Sequence, residues 1–594
     1  MQSFLDVKRS YRIVLAIAAA MAAVVYSLPP ARLKLSDSPT TDGTVAGILH
    51  IHTNRSDGRS SPDEIAAIAA RMGLKFLVFT DHGDATREPD PPAYRSGVLC
   101  LDGVEISTTA GHYVAIGMRA APYPLGGEPR DVVEDVRRLG GFGIAAHPDS
   151  PKRELRWVDW SLPIDAMEIL NPDTQWRTYA QGPGISPKFK LLAALGTYAF
   201  RPSETIAHLF ESTPQAIRTW MSLTGRRKVV GVAGVDAHAK LALWDVEPGD
   251  NSFTLPFPGY RTAFATLSAH VQPSRPLTGQ APADAAALLE GLRAGHLYMA
   301  IDARAAPASF EFSASNGKGT AVQGDELDLG GALALRVRSN APAGSKVSIF
   351  NGDQPVAERM MATDLTVRGA PGAYRVEIRL PGNDEPLWLI SNPIYLRESG
   401  GSVAGPSVSS GATATRVTPD LLVRRSSPGS GSEGGKVGPT YGSDDLLYPT
   451  SAPGWSVEHD ESSKADLIAS SGQMIFRFTL GASAGVRPRV ALAAAPHPLP
   501  PNGRLTLSMR ADRPMRVSVQ LRAGSGERWQ RSVYVDTVDR EHDVAFDDFT
   551  PVGVTATERP VLSNTPSIVL VIETTNAKAG STGELTITRV ALAR

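Results

Sequence analysis

Thiols are almost absent from this chain: Cys100 is the single cysteine among 594 residues. An intrachain disulfide and a thiolate-rich metal site are therefore excluded. Net charge is nearly absent as well, with 60 basic against 61 acidic side chains leaving −1. That excludes a chain-wide basic surface for nucleic acid, although not a local groove. What the chain does have is ordinary globular composition, 42% hydrophobic and 20% charged, and 12 histidines, of which nine precede residue 300. At roughly 100–200 residues per domain, its length implies three or four domains.

Residues 13–28 read IVLAIAAAMAAVVYSL, without a charge, behind Lys8, Arg9 and Arg12. A basic flank followed by an apolar core is a membrane-targeting pattern. The run is short for a spanning helix, which needs roughly 17–25 residues. It also lacks a clean small-x-small cleavage site, and Pro29 and Pro30 end it. Residues 1–30 are thus expected to be an uncleaved signal anchor or a signal peptide. Either places the rest of the chain outside the cytoplasm, anchored or secreted, with the membrane as one partner.

From 44 to 302 short apolar segments alternate with helical ones. Strands are expected at 47–53, 76–82, 98–106, 112–118, 142–148, 165–170 and 229–238. Ser61-Pro62-Asp63-Glu64 opens a helix, with Ser61 as N-cap, Pro62 at the first helical position and Glu64 placed for a capping box. Further helices are expected near 129–139, 188–197, 214–223 and 283–295. Alternation of this kind implies an α/β fold with a parallel sheet, long enough here to close as a barrel. Residues 307–397 lose the helical pattern and read as a β-sandwich. Residues 398–440 are rich in Gly, Ser, Thr and Pro and read as a flexible linker. Residues 441–594 return to strands and read as a jelly-roll β-sandwich.

Histidines and acids fall at the strand ends. His50 and His52 are two apart on one strand and are expected to share a face. Asp57 follows in the next loop, Asp81 and His82 end the second strand, and Glu105 lies near the end of the third. His112 begins the fourth, His147 ends the fifth, and Asp236 and His238 end a late strand. In a parallel barrel those ends converge on one face. Imidazoles and carboxylates without thiolates suit Zn²⁺, Mn²⁺ or Fe²⁺. A single histidine at a strand end is ordinarily a satisfied polar group; nine candidate ligands at successive ends, Asp81 left aside, are not so easily explained. His208, His270, His296, His459, His497 and His542 fall outside the pattern and are assigned to structural or solvated roles.

The runs HIHTNRSDG (50–58), TDHGD (80–84), GVEIS (103–107), GHYVAIG (111–117), AAHPDSP (145–151) and GVDAHAK (234–240) resemble the successive motifs of the PHP domain, the polymerase and histidinol phosphatase superfamily. The resemblance covers about residues 44–302. Within it, the attached β-sandwich is similar to the branch that includes carbaryl hydrolase, and the last domain resembles a galactose-binding-type jelly roll. The superfamily implies a distorted barrel of seven parallel strands and up to three divalent metals. It implies that His50, His52, Glu105 and Asp236 hold the first, Glu105, His112 and His147 the second, and Asp57, His82 and His238 the third. The third-site position after HxH is Asp here where some members have His. Glu105 and Asp236 are then catalytic. Asp81 is counted with them as a residue that orients an imidazole, the competing role being a strand-end hydrogen bond to backbone.

Dications clustered in this way lower the pKa of a shared water and stabilise charge developing on a phosphoryl or acyl group. The expected activity is metal-dependent hydrolysis of a small-molecule phosphoester. An ester or carbamate substrate on the same site is the first alternative, and an envelope-anchored glycan-binding protein with an inactive barrel is the second. Asp149 is a candidate general acid. Lys152, Arg153 and Arg177 are candidates to meet an anionic substrate, with plain surface charge the commoner role. Trp455 and Trp529 either stack on a glycan or fill a sandwich core. Nucleic acid is not an expected partner.

Overall fold

The computed structural model describes residues 25, 27–36, 43–182, 184–210, 214–242, 251–359, 363–382, 384–398, 446–447, 450, 454–470, 472–482, 487–496, 499, 503–564 and 566–593. Residues 1–24 and 401–445 lie outside this set, so nearly all of the candidate anchor and the candidate linker do too. Among the described residues no helix is long and apolar enough to cross a membrane. These residues divide into two compact units, the second made of 85–87, 120–127 and the residues after 410.

Local signals are obeyed closely in the first unit. Ser61 accepts from the Glu64 N–H while the Glu64 carboxylate accepts from the Ser61 N–H, a complete capping box for helix α1, Pro62–Arg71. Its buried residues Ile65, Ala66 and Ala69 pack on the strands beside it. Seven strands form the barrel: β1 Val45–Ile51, β2 Phe76–Phe79, β3 Val98–Thr108, β4 Gly111–Ile116, β5 Phe142–Ala145, β6 Ala166–Leu170 and β7 Val230–Ala237. They pair in that order, and β7 closes on β1 through Leu49–Gly234 and Ile51–Ala237.

The barrel is not all-parallel. β4 runs antiparallel to both β3 and β5, while every other neighbouring pair is parallel. The cause is the link: only Thr109 and Ala110 separate β3 from β4, enough for a hairpin and far too few for a parallel crossover. Gly111 takes φ +105° at the turn, and a Cβ there would meet the Arg156 backbone at 2.3 Å. Because β4 is reversed, its first residues, not its last, lie at the end of the barrel where the other strands finish. That is how His112 joins them.

Helix α2, Pro129–Arg138, lies between β4 and β5, and β6 is followed by α3 Pro172–Gln181, α4 Ser186–Tyr198, α5 Pro202–His208 and a fourth helix before β7. The sheet also continues outward from β1. Val45–Gly47 pairs with Ala269–Val271, the strand Ser268–Val271 pairs with Leu297–Ala300, and that strand pairs with Leu387–Ser391. A four-stranded sheet containing Phe310–Asn316 and Ala332–Ser339 packs over this extension. Phe310, Phe312, Val337, Val376 and Trp388 fill the space between.

The second unit holds two six-stranded sheets around Phe476, Leu507, Val519, Leu570 and Ile587. Trp455 and Trp529 are both buried in this core, and the Trp529 indole donates to the Thr557 carbonyl. They are core tryptophans, so the glycan-stacking alternative for these two residues is withdrawn.

Candidate metal centre

Glu105 sits in β3, 1% exposed, and five imidazoles and one further carboxylate gather around it. Its Oε1 lies 2.8 Å from His112 Nδ1 and 2.8 Å from His147 Nε2. Its Oε2 lies 3.2 Å from His50 Nε2, 3.1 Å from His52 Nε2 and 3.2 Å from His82 Nδ1. Asp236 Oδ1 is 3.4 Å from His50 Nε2 and 3.2 Å from His52 Nε2. Asp57 closes the other side, 3.4 Å from His52 Nδ1, 3.7 Å from His82 Nε2 and 3.2 Å from His238 Nε2. All nine side chains picked from the strand ends are thus brought together.

The donor atoms form three overlapping groups: His50, His52, Glu105 and Asp236; His82, Glu105 and His112; and His52, Asp57, His82 and His238. His52 and His82 each belong to two groups, a sharing that the motif-by-motif assignment did not contain. His50 Nε2, both His52 ring nitrogens, His147 Nδ1 and Asp236 Oδ1 are buried without a hydrogen-bond partner. Buried polar atoms in native structures are almost always satisfied, so this many orphans in one cluster calls for an explanation. Divalent cations fit: the donors are imidazole and carboxylate, and they face one another in groups of three and four.

The electrostatics of the metal-free cluster point the same way. Burial alone would lower the pKa of His50, yet the carboxylates of Glu168, Glu105 and Asp236 hold it well above its ordinary value. Burial is likewise overcome at His52, where Asp236 and Glu105 lift the pKa to about 10. Glu105 and Asp236 are held well below the usual carboxylate range; burial opposes this, and the positive charge of His50 leads the groups that impose it. His82 goes the other way, to about 4, through burial and the charges of His52 and His238. Without metal the carboxylates keep protons on His50 and His52, and bound cations would take those protons' places.

The backbone reaches this arrangement through strain. His50, His147 and Asp236 have φ of 65°, 28° and 52°. These are left-handed values that non-glycine residues seldom adopt. The pairing register of β1 shifts between Ile48 and Ile51 against β2, and between Leu49 and Ile51 against β7. Simple alternation along a strand is therefore not why His50 and His52 share a face. β1 ends at Ile51, and an irregularity at His50 turns both rings inward, with centroids 5.2 Å apart.

Asp81 does not meet an imidazole. Its Oδ1 accepts from the Thr53 N–H at 2.7 Å and the Ser56 hydroxyl at 2.6 Å, and its Oδ2 accepts from the Thr53 hydroxyl at 2.8 Å. It ties down the loop that carries Asp57. Asp149 accepts from the Ala216 N–H at 2.9 Å, at the start of helix α6, Gln215–Thr224. That places its carboxylate at a helix N-terminus. Arg177 bonds Asp173 and lies over Trp176. Although burial lowers its pKa, Asp173, Asp236 and Asp57 raise it, so its charge lies within the field of the cluster. Arg153 is exposed. Of the other described histidines, His270 stacks on Tyr298 and His296 pairs with Asp325. His497 lies outside the described residues.

Sequence reasoning missed Glu168. It is 2% exposed in β6, and its Oε1 takes the His50 Nδ1–H at 2.5 Å. Its Oε2 accepts from the His147 backbone N–H at 2.7 Å and from Asn171 Nδ2 at 2.9 Å. Asn171 in turn caps α3. A lone glutamate inside the otherwise apolar run AMEIL was the available signal, since carboxylates are rarely buried without a partner.

A closed α/β barrel with three overlapping histidine–carboxylate groups at one end defines a candidate multinuclear metal protein. No family model matches the chain. It is 28% identical over 137 residues to an uncharacterized protein of Methanocaldococcus jannaschii, covering 21% of this chain and 80% of that one. It is 32% identical over 126 residues to the 3',5'-nucleoside bisphosphate phosphatase of Chromobacterium violaceum, covering 19% of this chain and 43% of that one. Among solved structures, a two-domain Bacteroides vulgatus protein described as containing a predicted PHP-like metal-dependent phosphoesterase matches 61% of this chain and all of its own, at 13% identity and TM-score 0.28. A family 11 carbohydrate-binding module from Clostridium thermocellum matches 25% of this chain and 95% of its own, at 14% identity and TM-score 0.22. The alignment with the bisphosphate phosphatase spans less than half of that protein's length.

Proposed function

We propose that this chain is a metal-dependent phosphoesterase acting on a small molecule. The observation that carries the reading is the set of buried, unpartnered donor atoms on His50, His52 and Asp236, converging beside Glu105. The relative named as a nucleoside bisphosphate phosphatase supports a phosphoester over an ester or carbamate. Divalent cations would be held by His50, His52, Glu105 and Asp236, by Glu105 with His82, His112 and His147, and by Asp57, His52, His82 and His238. Bound there, they supply Lewis-acid stabilisation of a phosphoryl group and activation of water at neutral pH.

The chain's own residues do the rest. Glu105 offers both carboxylate oxygens to different imidazoles and so links the groups. Glu168 holds the Nδ1 proton of His50 and thereby leaves Nε2 facing the cluster. A narrow pocket beside Asp236 and His238 is lined also by Asp173, Lys240, Phe257 and Pro258. Arg177, held by Asp173, gives that side a positive group suited to an anionic substrate. The basic and apolar pattern of residues 8–28 supports a barrel outside the cytoplasm.

The test is a panel of aryl phosphates and aryl esters given to metal-replete protein. Hydrolysis of the phosphates is expected, with loss of activity in Asp236→Ala while the protein stays folded. Full activity after chelation overturns the metal reading, and preference for aryl esters overturns the phosphoester reading.

A further inference from the structure

Helix α4 breaks the usual rule for a surface helix. Ile185, just before it, and Phe189, Leu192 and Leu195 within it are 73%, 65%, 64% and 49% exposed. At 3.6 residues per turn these four fall on an arc of about 120°. The opposite side is the one that packs, through Thr197 and Tyr198: the Tyr198 ring lies 4.7 Å from Phe257 and its hydroxyl bonds Thr262. Phe200, 65% exposed, continues the apolar surface beyond the helix, and Leu255, two residues from Phe257, adds a further exposed side chain at 51%. A contiguous apolar face of this kind marks an interaction site.

Two observations identify the occupant. The described N-terminal stretch 27–36 runs along the first unit, with Leu33 bonded to Arg304 and Leu35 packed on the sandwich core. At its start, the Pro29 carbonyl accepts from Arg201 at 2.5 Å, one residue after Phe200. The charge-free sequence 13–28 therefore joins the folded unit beside the apolar face. Exposed Lys188 and Lys190 lie on the same helix, the sign that an anionic lipid surface would attract. An apolar helical face, basic neighbours and the exit point of an apolar, basic-flanked terminus agree on one partner.

We propose that the outer face of α4, with Phe200 and Leu255, lies on an anionic lipid bilayer. The membrane then has two attachments in this chain: the N-terminal run and this face. Phe257 lines the pocket beside Asp236 and His238 while touching Tyr198 of α4, so the docked face lies on the side of the barrel where the candidate centre opens. A lipid surface would thereby set the orientation of that opening.

The experiment uses the full chain with one label. Cys100 is buried and its pKa is pushed up to about 11 by burial, so it resists labelling. Leu192→Cys carries a polarity-sensitive fluorophore, and Val554→Cys, at a fully exposed position, is the control. On phosphatidylcholine vesicles containing phosphatidylglycerol, the label at 192 should shift to the blue and lose most of its emission to nitroxide-bearing lipids. The label at 554 should do neither. A water-like, unquenched label at 192 overturns the proposal. So does a blue-shifted label that nitroxide lipids fail to quench, since protein, either residues 13–28 or a second copy, would then cover the face. A Phe189→Ser, Leu192→Ser double variant should lose the extra binding to anionic vesicles over neutral ones while keeping its activity on a soluble phosphoester. Unchanged binding of that variant also overturns the proposal.

Discussion

Replacing Glu168 by glutamine tests whether the candidate centre depends on a residue that would touch no metal. The carboxylate has two duties with opposite requirements. Oε1 takes a proton from His50 Nδ1, and Oε2 accepts from two donors, the His147 N–H and Asn171 Nδ2. An amide cannot do both. If its oxygen replaces Oε2, its NH₂ faces His50, which must accept at Nδ1 and carry its proton on Nε2. That nitrogen points at Glu105 and Asp236 and could no longer bind a cation. If the amide is flipped, two buried donors face a third, at about 1–3 kcal/mol for each unsatisfied group. The first orientation wins, and the wrong tautomer follows. Loss of such a supporting partner lowers metal affinity about 10–100-fold, or about 1.4–2.8 kcal/mol. The assay is competition with a chelator of known affinity, followed by elemental analysis, with thermal unfolding of the stripped protein as the check on folding. If Glu168→Gln holds metal as tightly as the unaltered chain, the role given to Glu168 is wrong.

Three further outcomes are expected. Gly234→Ala should reproduce the loss of metal affinity without changing any charge, because a Cβ at 234 would come within 1.8 Å of Glu168 Oε1; the same competition measures it. Asp81→Ala should cost about 1–3 kcal/mol for each donor it strands at Thr53 and Ser56, seen as a lower urea midpoint, and should weaken metal binding through Asp57. Asp302 has its pKa raised from 3.8 to about 7 by burial, which the charge of Arg32 only partly offsets. The folded state then binds more protons than the unfolded one between those values, so this residue makes stability fall as pH rises through that window. Asp302→Asn should flatten the fall in a pH series of melting curves, and an unchanged slope would exclude Asp302 as its source.

Residues whose role follows from spacing were legible in the sequence. The capping box at Ser61 and Glu64 needs only a three-residue interval, and the apolar runs marked β1 to β7 because short strands carry their own signal. The nine histidines and acids could be chosen because strand ends converge in barrels. Strand direction was not legible from the apolar pattern, which is the same for either direction. It was written in the two-residue link at Thr109 and Ala110. The role of Asp81 stayed open because a carboxylate beside a ligand-like histidine has two sensible partners, and only the fold shows its bonds to the Thr53 backbone and to Ser56. Glu168 was missed because its importance is set by atoms of His50, His147 and Asn171, of which only Asn171 is close to it in sequence.

These parts form one mechanical unit. Each left-handed φ at His50, His147 and Asp236 costs on the order of 1–3 kcal/mol and persists only where the surroundings fix it. Glu168 bonds the side chain of the first and the backbone of the second. Gly234, two residues before the third, has no side chain and so admits the Glu168 carboxylate into that space. One buried glutamate thus reaches all three strained strand ends, two by hydrogen bonds and one by close packing. The strain and the support are located together, which is the arrangement expected where geometry at a centre must be held against a more relaxed alternative. It follows that substitutions at 168 and 234 should not add: once either has released His50, the other has little left to disturb, and the double variant should lose about as much metal affinity as the worse single one. Full additivity in the chelator competition would show that the two positions act on the centre by separate routes.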